Sequence, residues 1–193
     1  GLSSNLFFNI HSIDRIKNEN IFPLAYKPNT HIISCIGDDG IRISKTDKFG
    51  FFNKNYYYDN PEIILLGDSY VAGQCVSEKD QINSILNIKN SKYLSFGLPG
   101  SSILKQYAAF MEYKKELDIK KVFLFTLLDN DFKEVIEEYK NPYLKKYIQK
   151  NHTQNLSDKK VKIESIYSRL NDELINELKA NEFLDKNLTY KKN

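Results

Sequence analysis

The 193 residues are 41% hydrophobic and 27% charged, with 28 Lys and Arg against 25 Asp and Glu for a net charge of +3. That is ordinary for a folded chain with a real core, and the spread of positive charge lacks the concentrated footprint of a nucleic-acid binder. No apolar run approaches the roughly 20 residues that cross a bilayer as a helix.

In chain order, residues 1–21 scatter apolar positions (Leu6, Phe7, Phe8, Ile10, Ile13, Ile16) as a short amphipathic lead-in. Pro23 and Pro28 then break any helix, and His31–Ile36 and Ile41–Lys45 flank Gly37-Asp38-Asp39-Gly40 as a β-hairpin. Thr46–Phe51 reads as a turn with aromatics that braces the following module, and Tyr56, Tyr57 and Tyr58 as packing and rim. Cys35 and Cys75 permit one disulfide but no framework. With no CxxC and no nearby His they make a poor zinc set, and two half-buried free thiols are expected.

From about Pro61 the pattern is strand (Ile63–Leu66), helix (capped near Ser77-Glu78-Lys79-Asp80, apolar at Ile82, Ile85 and Leu86) and strand (Tyr93–Phe96). A second helix follows, with Leu104, Tyr107, Ala108 and Met111 inward after Ser101 or Ser102, and then a third strand in Val122–Leu128. Such alternation predicts a parallel sheet with right-handed crossovers. Beyond it come a helix with Phe132, Val135, Ile136 and Tyr139 inward, an interruption at Pro142, a polar linker over 150–161, and a long amphipathic helix marked by Ile163, Ile166, Tyr167, Leu170, Leu174 and Leu178. The divisions are therefore a lead-in with hairpin (1–60), an α/β core (61–150), and a linker with helix (151–193). The wealth of Lys, Asn and Ile is compositional bias, and the N-x-S/T matches at Asn151, Asn155 and Asn187 come with it.

Each predicted strand ends in a loop of small or polar residues: Gly67-Asp68-Ser69, Gly97-Leu98-Pro99-Gly100 and Asp129-Asn130-Asp131. In a parallel sheet these ends share one edge, so the loops converge on one crevice. Any one of them is also what an ordinary strand-to-helix turn contains; three in register point to a site. Acyl transfer needs a nucleophile, a base and oxyanion donors. Ser69 can attack, and its own N–H, that of Gly100 and the Asn130 amide can donate. A phosphate loop is disfavoured, because Gly67–Gly73 is followed by Gln74-Cys75 and not by Lys-Ser/Thr.

These residues resemble the SGNH or GDSL hydrolases. Gly67-Asp68-Ser69-Tyr70 after an apolar strand is similar to the first block, Gly100 to the second-block glycine, and Asn130 to the third-block asparagine, with Asp129 in place of the usual glycine. Tyr26-Lys27-Pro28-Asn29 and Thr46–Phe51 are similar to the lead-in of a bacterial branch, so the resemblance covers roughly residues 22–150. It implies a three-layer α/β/α, flavodoxin-like parallel sheet and a serine ester hydrolase with Ser69 as nucleophile. Gly100 and Asn130 would be oxyanion donors, and Asp68 and Tyr70 would stand at the substrate. It implies no metal or cofactor, O-acyl groups on envelope carbohydrate as substrates, and an exported or envelope-associated setting.

The family's C-terminal Asp-x-x-His block is missing: Phe8, Pro28 and Gln149 stand three places before His11, His31 and His152. Together with the start at Gly1 and the lack of further strands, this favours a chain cut from a longer protein. The alternative from another class is a non-catalytic module that holds a glycan or protein partner with Phe49, Phe51, Phe52 and Tyr56–Tyr58.

Overall fold

The computed structural model describes residues 6–8, 20–37, 40–90, 92–128 and 131–180. Strand β1 (Leu6–Phe8) pairs parallel to β2 (His31–Gly37), which turns antiparallel into β3 (Gly40–Lys45). The hairpin is as expected; the lead-in supplies a strand where its scattered apolar residues suggested an amphipathic piece. Strand β4 (Ile63–Gly67) feeds the one-turn helix α1 (Ser69–Ala72) and then α2 (Ile82–Asn90), followed by β5 (Tyr93–Gly97), α3 (Ile103–Tyr113) and β6 (Lys121–Leu124). Helices α4 (Asp131–Lys140), α5 (Pro142–Lys145) and α6 (Lys160–Ala180) complete the described chain.

The second sheet is parallel in the order β5-β4-β6, with Leu65 opposite both Ser95 and Phe123. The chain thus lays down the middle strand first and then one neighbour on each side. Two faces can be assigned from β5, because successive strand residues point oppositely. Phe96 packs against Phe51 and Tyr113 at the end of α3, whereas Ser95 Oγ donates to Val71 O of α1 and Gly97 lies against the same turn. Helices α3 and α1 therefore cover opposite faces, as right-handed crossovers require.

The lead-in is core. Ile21, Phe22, Leu24, Phe49, Phe51 and Tyr57 are buried with Ile64, Leu94, Phe96, Ala108 and Leu144. The Thr46–Phe51 turn is tied by Asp47, whose Oδ1 accepts from the N–H groups of Phe49, Gly50 and Phe51 at 2.8, 2.8 and 3.0 Å. Its Oδ2 accepts from Asn53 Nδ2 and Tyr58 Oη at 2.8 and 2.6 Å. Burial raises the Asp47 pKa, and these donors oppose the rise. Phe49, Phe51, Phe52 and Tyr57 are consequently packed away, so the aromatic surface suggested for holding a partner is not presented by them. The Tyr56 side chain lies outside the described residues.

Two helices turn the opposite way from their apolar periodicity. In α4 Val135 packs against the core as expected, but the buried residues are Asp131 and Glu138, while Phe132, Ile136 and Tyr139 are exposed. Glu138 accepts from Ser102 N at 2.6 Å and Lys105 N at 3.0 Å, satisfying amides at the start of α3, and Asp131 Oδ2 accepts from Leu127 N at 2.7 Å. In α2 the buried side chains are Asn83, Ser84 and Asn87, while Ile85, Leu86 and Ile88 face out. Asn87 bonds both the N–H and the C=O of Tyr93, and Asn83 donates to Phe52 O. The helix begins at Ile82, after a separate 3₁₀ turn at Glu78–Asp80. In α3, Tyr107 is exposed and the buried face includes Lys105 and Glu112. Burial pulls the Lys105 pKa down to about 8, against the raising effect of Glu138 nearby. Helix α6 buries Ile163, Ile166, Tyr167 and Leu170 as its spacing predicts.

The apolar third strand, β6, carries no strand on its outer side among the described residues, and Val122, Phe123, Leu124 and Phe125 are each 40–48% exposed. The segment read as a polar linker is ordered: Gln154 and Leu156 are buried, and Gln154 clasps Phe22 through both its amide atoms. Cys35 and Cys75 form a disulfide, correcting the expectation of free thiols. Spacing could not reveal that the hairpin folds back onto the turn after α1. No described helix is long and apolar enough to cross a membrane.

Candidate functional site

Backbone hydrogen bonds bring the three strand ends together. Leu98 N donates to Gly67 O at 3.0 Å and Phe125 N to Leu66 O at 2.9 Å, so the chain leaving β5 and the chain leaving β6 both flank the end of β4. This edge is the switch point of a sheet whose first strand lies in the middle, the usual place for a ligand crevice.

At this edge Asp68 is the N-cap of α1: its Oδ1 accepts from Tyr70 N at 2.9 Å. A carboxylate so engaged positions the turn. Ser69 is half-buried, and its hydroxyl makes no hydrogen bond with any described residue. Tyr70 points outward, 79% exposed. Gly100 is exposed with φ +63°, a conformation that favours glycine, and a Cβ there would meet nothing within 4 Å. The N–H groups of Ser69 and Gly100 donate to no acceptor among the described residues. Asp129 and Asn130 lie outside the described residues, so the third donor has no described position.

Sequence reasoning named Gly97, Ser102 and Asp131 only as turn or cap residues and did not single out Ser95 as a support of this edge. Ser95 Oγ bridges Val71 O at 2.8 Å and Gly97 N at 3.2 Å. Ser102 Oγ donates to Asp131 O, and the buried Asp131 Oδ1 has no partner among the described groups. Gly97 is required by proximity: a Cβ there would lie 2.1 Å from Ala72 N and 2.5 Å from Ala72 Cα and Val71 C. Those are backbone atoms of α1, which cannot swing aside. Gly97→Ala is expected to lower the unfolding free energy by about 3 kcal/mol, against about 1 kcal/mol for Gly100→Ala. Urea unfolding of the two variants checks this, and equal losses would contradict the close-packing account.

No described histidine or carboxylate hydrogen-bonds Ser69 Oγ. His31 stands in β2 opposite Lys45, and His152 sets its ring edge-on to Tyr147, with centroids 4.9 Å apart. His11 lies outside the described residues. The described residues contain no cluster of three or more His, Cys, Asp or Glu able to hold a metal.

A cavity of about 530 Å³ lies elsewhere, between the β2–β3 hairpin and the connection from α1 to α2, and neither Ser69 nor Gly100 lines it. Its cationic residues, Arg42, Lys45 and Lys54, were passed over by the sequence reading. The available signal was the alternation of Arg42 and Ser44 with Ile41 and Ile43 along one strand. Compared with protein-family models, with curated proteins and with solved structures, the chain matches none.

Proposed function

We propose that this chain carries the nucleophile half of an SGNH/GDSL-type serine ester hydrolase, with Ser69 attacking the ester carbonyl. The observation that carries this reading is that three strand ends share one edge, where the Ser69 hydroxyl and the N–H groups of Ser69 and Gly100 make no hydrogen bond among the described residues. The order β5-β4-β6 agrees with the first three strands of a flavodoxin-like sheet. In the reaction, Oγ adds to the carbonyl carbon, and the N–H groups of Ser69 and Gly100, with the Asn130 amide, receive the negative charge developing on the carbonyl oxygen. Collapse expels the alcohol, and water then releases the acyl group. A base must take the Oγ proton, and it lies outside the described residues. O-acyl groups on envelope carbohydrate are the substrate class we favour.

If the chain does not itself supply the base, simple nucleophile deletion is uninformative, because removing a second member of a broken catalytic unit costs little more. The decisive measurement adds imidazole as an external base with p-nitrophenyl acetate. The wild-type chain with imidazole is expected to exceed the sum of the separate rates about tenfold, and Ser69→Ala is expected to abolish that excess. An excess that survives Ser69→Ala, or none at all in the wild type, removes Ser69 from the mechanism.

A further inference from the structure

We propose that the cavity between the hairpin and the α1–α2 connection binds an anionic, hydroxyl-rich small molecule, of the class of an acidic saccharide or a sugar phosphate, through Arg42, Lys45 and Gln81. The volume of about 530 Å³ suits a ligand of that size. Its charge is unbalanced. Lys54 is ion-paired with Glu78 at 3.1 Å, which leaves Arg42 and Lys45 without a carboxylate partner among the described residues. Arg42 is half-buried on β3, where a planar guanidinium can hold a carboxylate or phosphate with two parallel hydrogen bonds in reduced competition from water.

Gln81 supplies the second, independent observation. It is only 3% exposed, it lines the cavity, and its carboxamide makes no hydrogen bond with any described residue. The residue is almost wholly covered, yet its amide atoms are not among the buried unpartnered ones, so they keep access to the recess and offer both a donor and an acceptor to a ligand's hydroxyls. Ser44 and Ser77 add hydroxyls on the two walls, and the exposed Val76 offers an apolar contact for the C–H face of a sugar ring.

The walls are held in place before any ligand arrives. Cys35 in β2 is bonded to Cys75, next to Val76, and Gln74 Nε2 donates to Ser34 O at 2.8 Å. Asn83 Nδ2 reaches Phe52 O at 2.9 Å from the same side. A site whose walls are fixed loses little ordering entropy on binding. The inference does not rest on Ser69, which is not part of the cavity, and Ser69→Ala is expected to bind as the wild type does.

The test is amide NMR titration of the oxidised, full chain with glucuronate, glucose 6-phosphate and glucose at millimolar concentrations. At least one anion is expected to shift the amides of residues 42–46 and 76–84 and to bind about tenfold tighter than glucose. Tighter binding of glucuronate assigns an acidic saccharide, and tighter binding of glucose 6-phosphate assigns a phosphate ester. Arg42→Gln is expected to weaken that anion about tenfold, and the exposed Lys45→Gln serves as the second variant should Arg42→Gln disturb the hairpin. Binding of neither anion, equal binding of glucose, or an affinity unmoved by both variants overturns the proposal.

Discussion

Replacing Glu112 by Ala is expected to destabilise the protein by about 4 kcal/mol, among the largest effects of any single substitution. Glu112 is fully buried on α3 and accepts four hydrogen bonds. Oε1 takes the Tyr147 hydroxyl, the Thr153 hydroxyl at 2.9 Å and the Gln154 N–H, and Oε2 takes the Leu156 N–H at 2.9 Å. Truncation leaves two main-chain donors buried without acceptors and opens a cavity beneath Tyr147. The consequence reaches across the molecule, because Gln154 in turn holds Phe22 of the lead-in. Glu112→Gln keeps the shape and one acceptor oxygen, so it is expected to lose roughly half as much. Chemical denaturation of both variants measures the difference. An Ala variant within about 1 kcal/mol of wild type would show that this carboxylate does not organise the 147–156 segment.

Opening the Cys35–Cys75 bond is expected to cost about 4 kcal/mol, because it closes a loop with a sequence separation of 40 residues. The reference is the unfolded chain, which gains freedom when the link is removed. The double variant Cys35→Ser, Cys75→Ser separates this effect from side reactions of a reductant. Hydrogen exchange is expected to quicken in the hairpin, residues 31–45, more than in β4 and β5, because the bond ties β2 to the connection after α1 and does not run through the parallel sheet. Unchanged stability in the double variant would mean that Gln74, Asn83 and the packing of Phe52 hold the hairpin by themselves.

Local physics explains which elements the amino-acid sequence predicts. Ile63–Leu66 and Tyr93–Phe96 are short apolar runs ending in Gly, and both are largely buried strands of the parallel sheet, the first in its middle and the second beside it. The hairpin follows from two β-rich runs around Gly37–Gly40, and α6 from a stripe at helical spacing. Helices α2 and α4 mark the boundary of this reasoning. Their period is helical, yet choosing the inward face by apolar content gives the wrong side: Asn87 is needed at Tyr93, and Glu138 at the amides that begin α3. A buried main-chain group without a partner costs more than exposing an isoleucine, so the polar face turns in. No periodicity within a helix reports on an amide 36 residues away.

The candidate site divides in the same way. Gly67, Ser69 and Gly100 are legible as turn residues at the ends of apolar strands, and a parallel sheet requires their loops to share an edge. Glu138 and Ser95, which hold those loops, are not legible, because they reach main-chain atoms of Ser102 and Val71, 36 and 24 residues away. The cationic cavity escapes because its two walls are joined by a disulfide whose halves lie in β2 and in the connection after α1.

By itself, then, the sequence determined the hairpin, the three strands of a parallel sheet, the long C-terminal helix and the position of Ser69 at a strand's end, since each depends on neighbours within a few residues, but not β1. Tertiary structure alone decided which faces of α2 and α4 are buried, that Cys35 meets Cys75, that Asp47 and Glu112 are internal anchors, and that Arg42, Lys45 and Gln81 share one recess. Those outcomes depend on which groups the closed fold brings within bonding distance and which buried polar groups must then be paired, a requirement that periodicity along one element does not report.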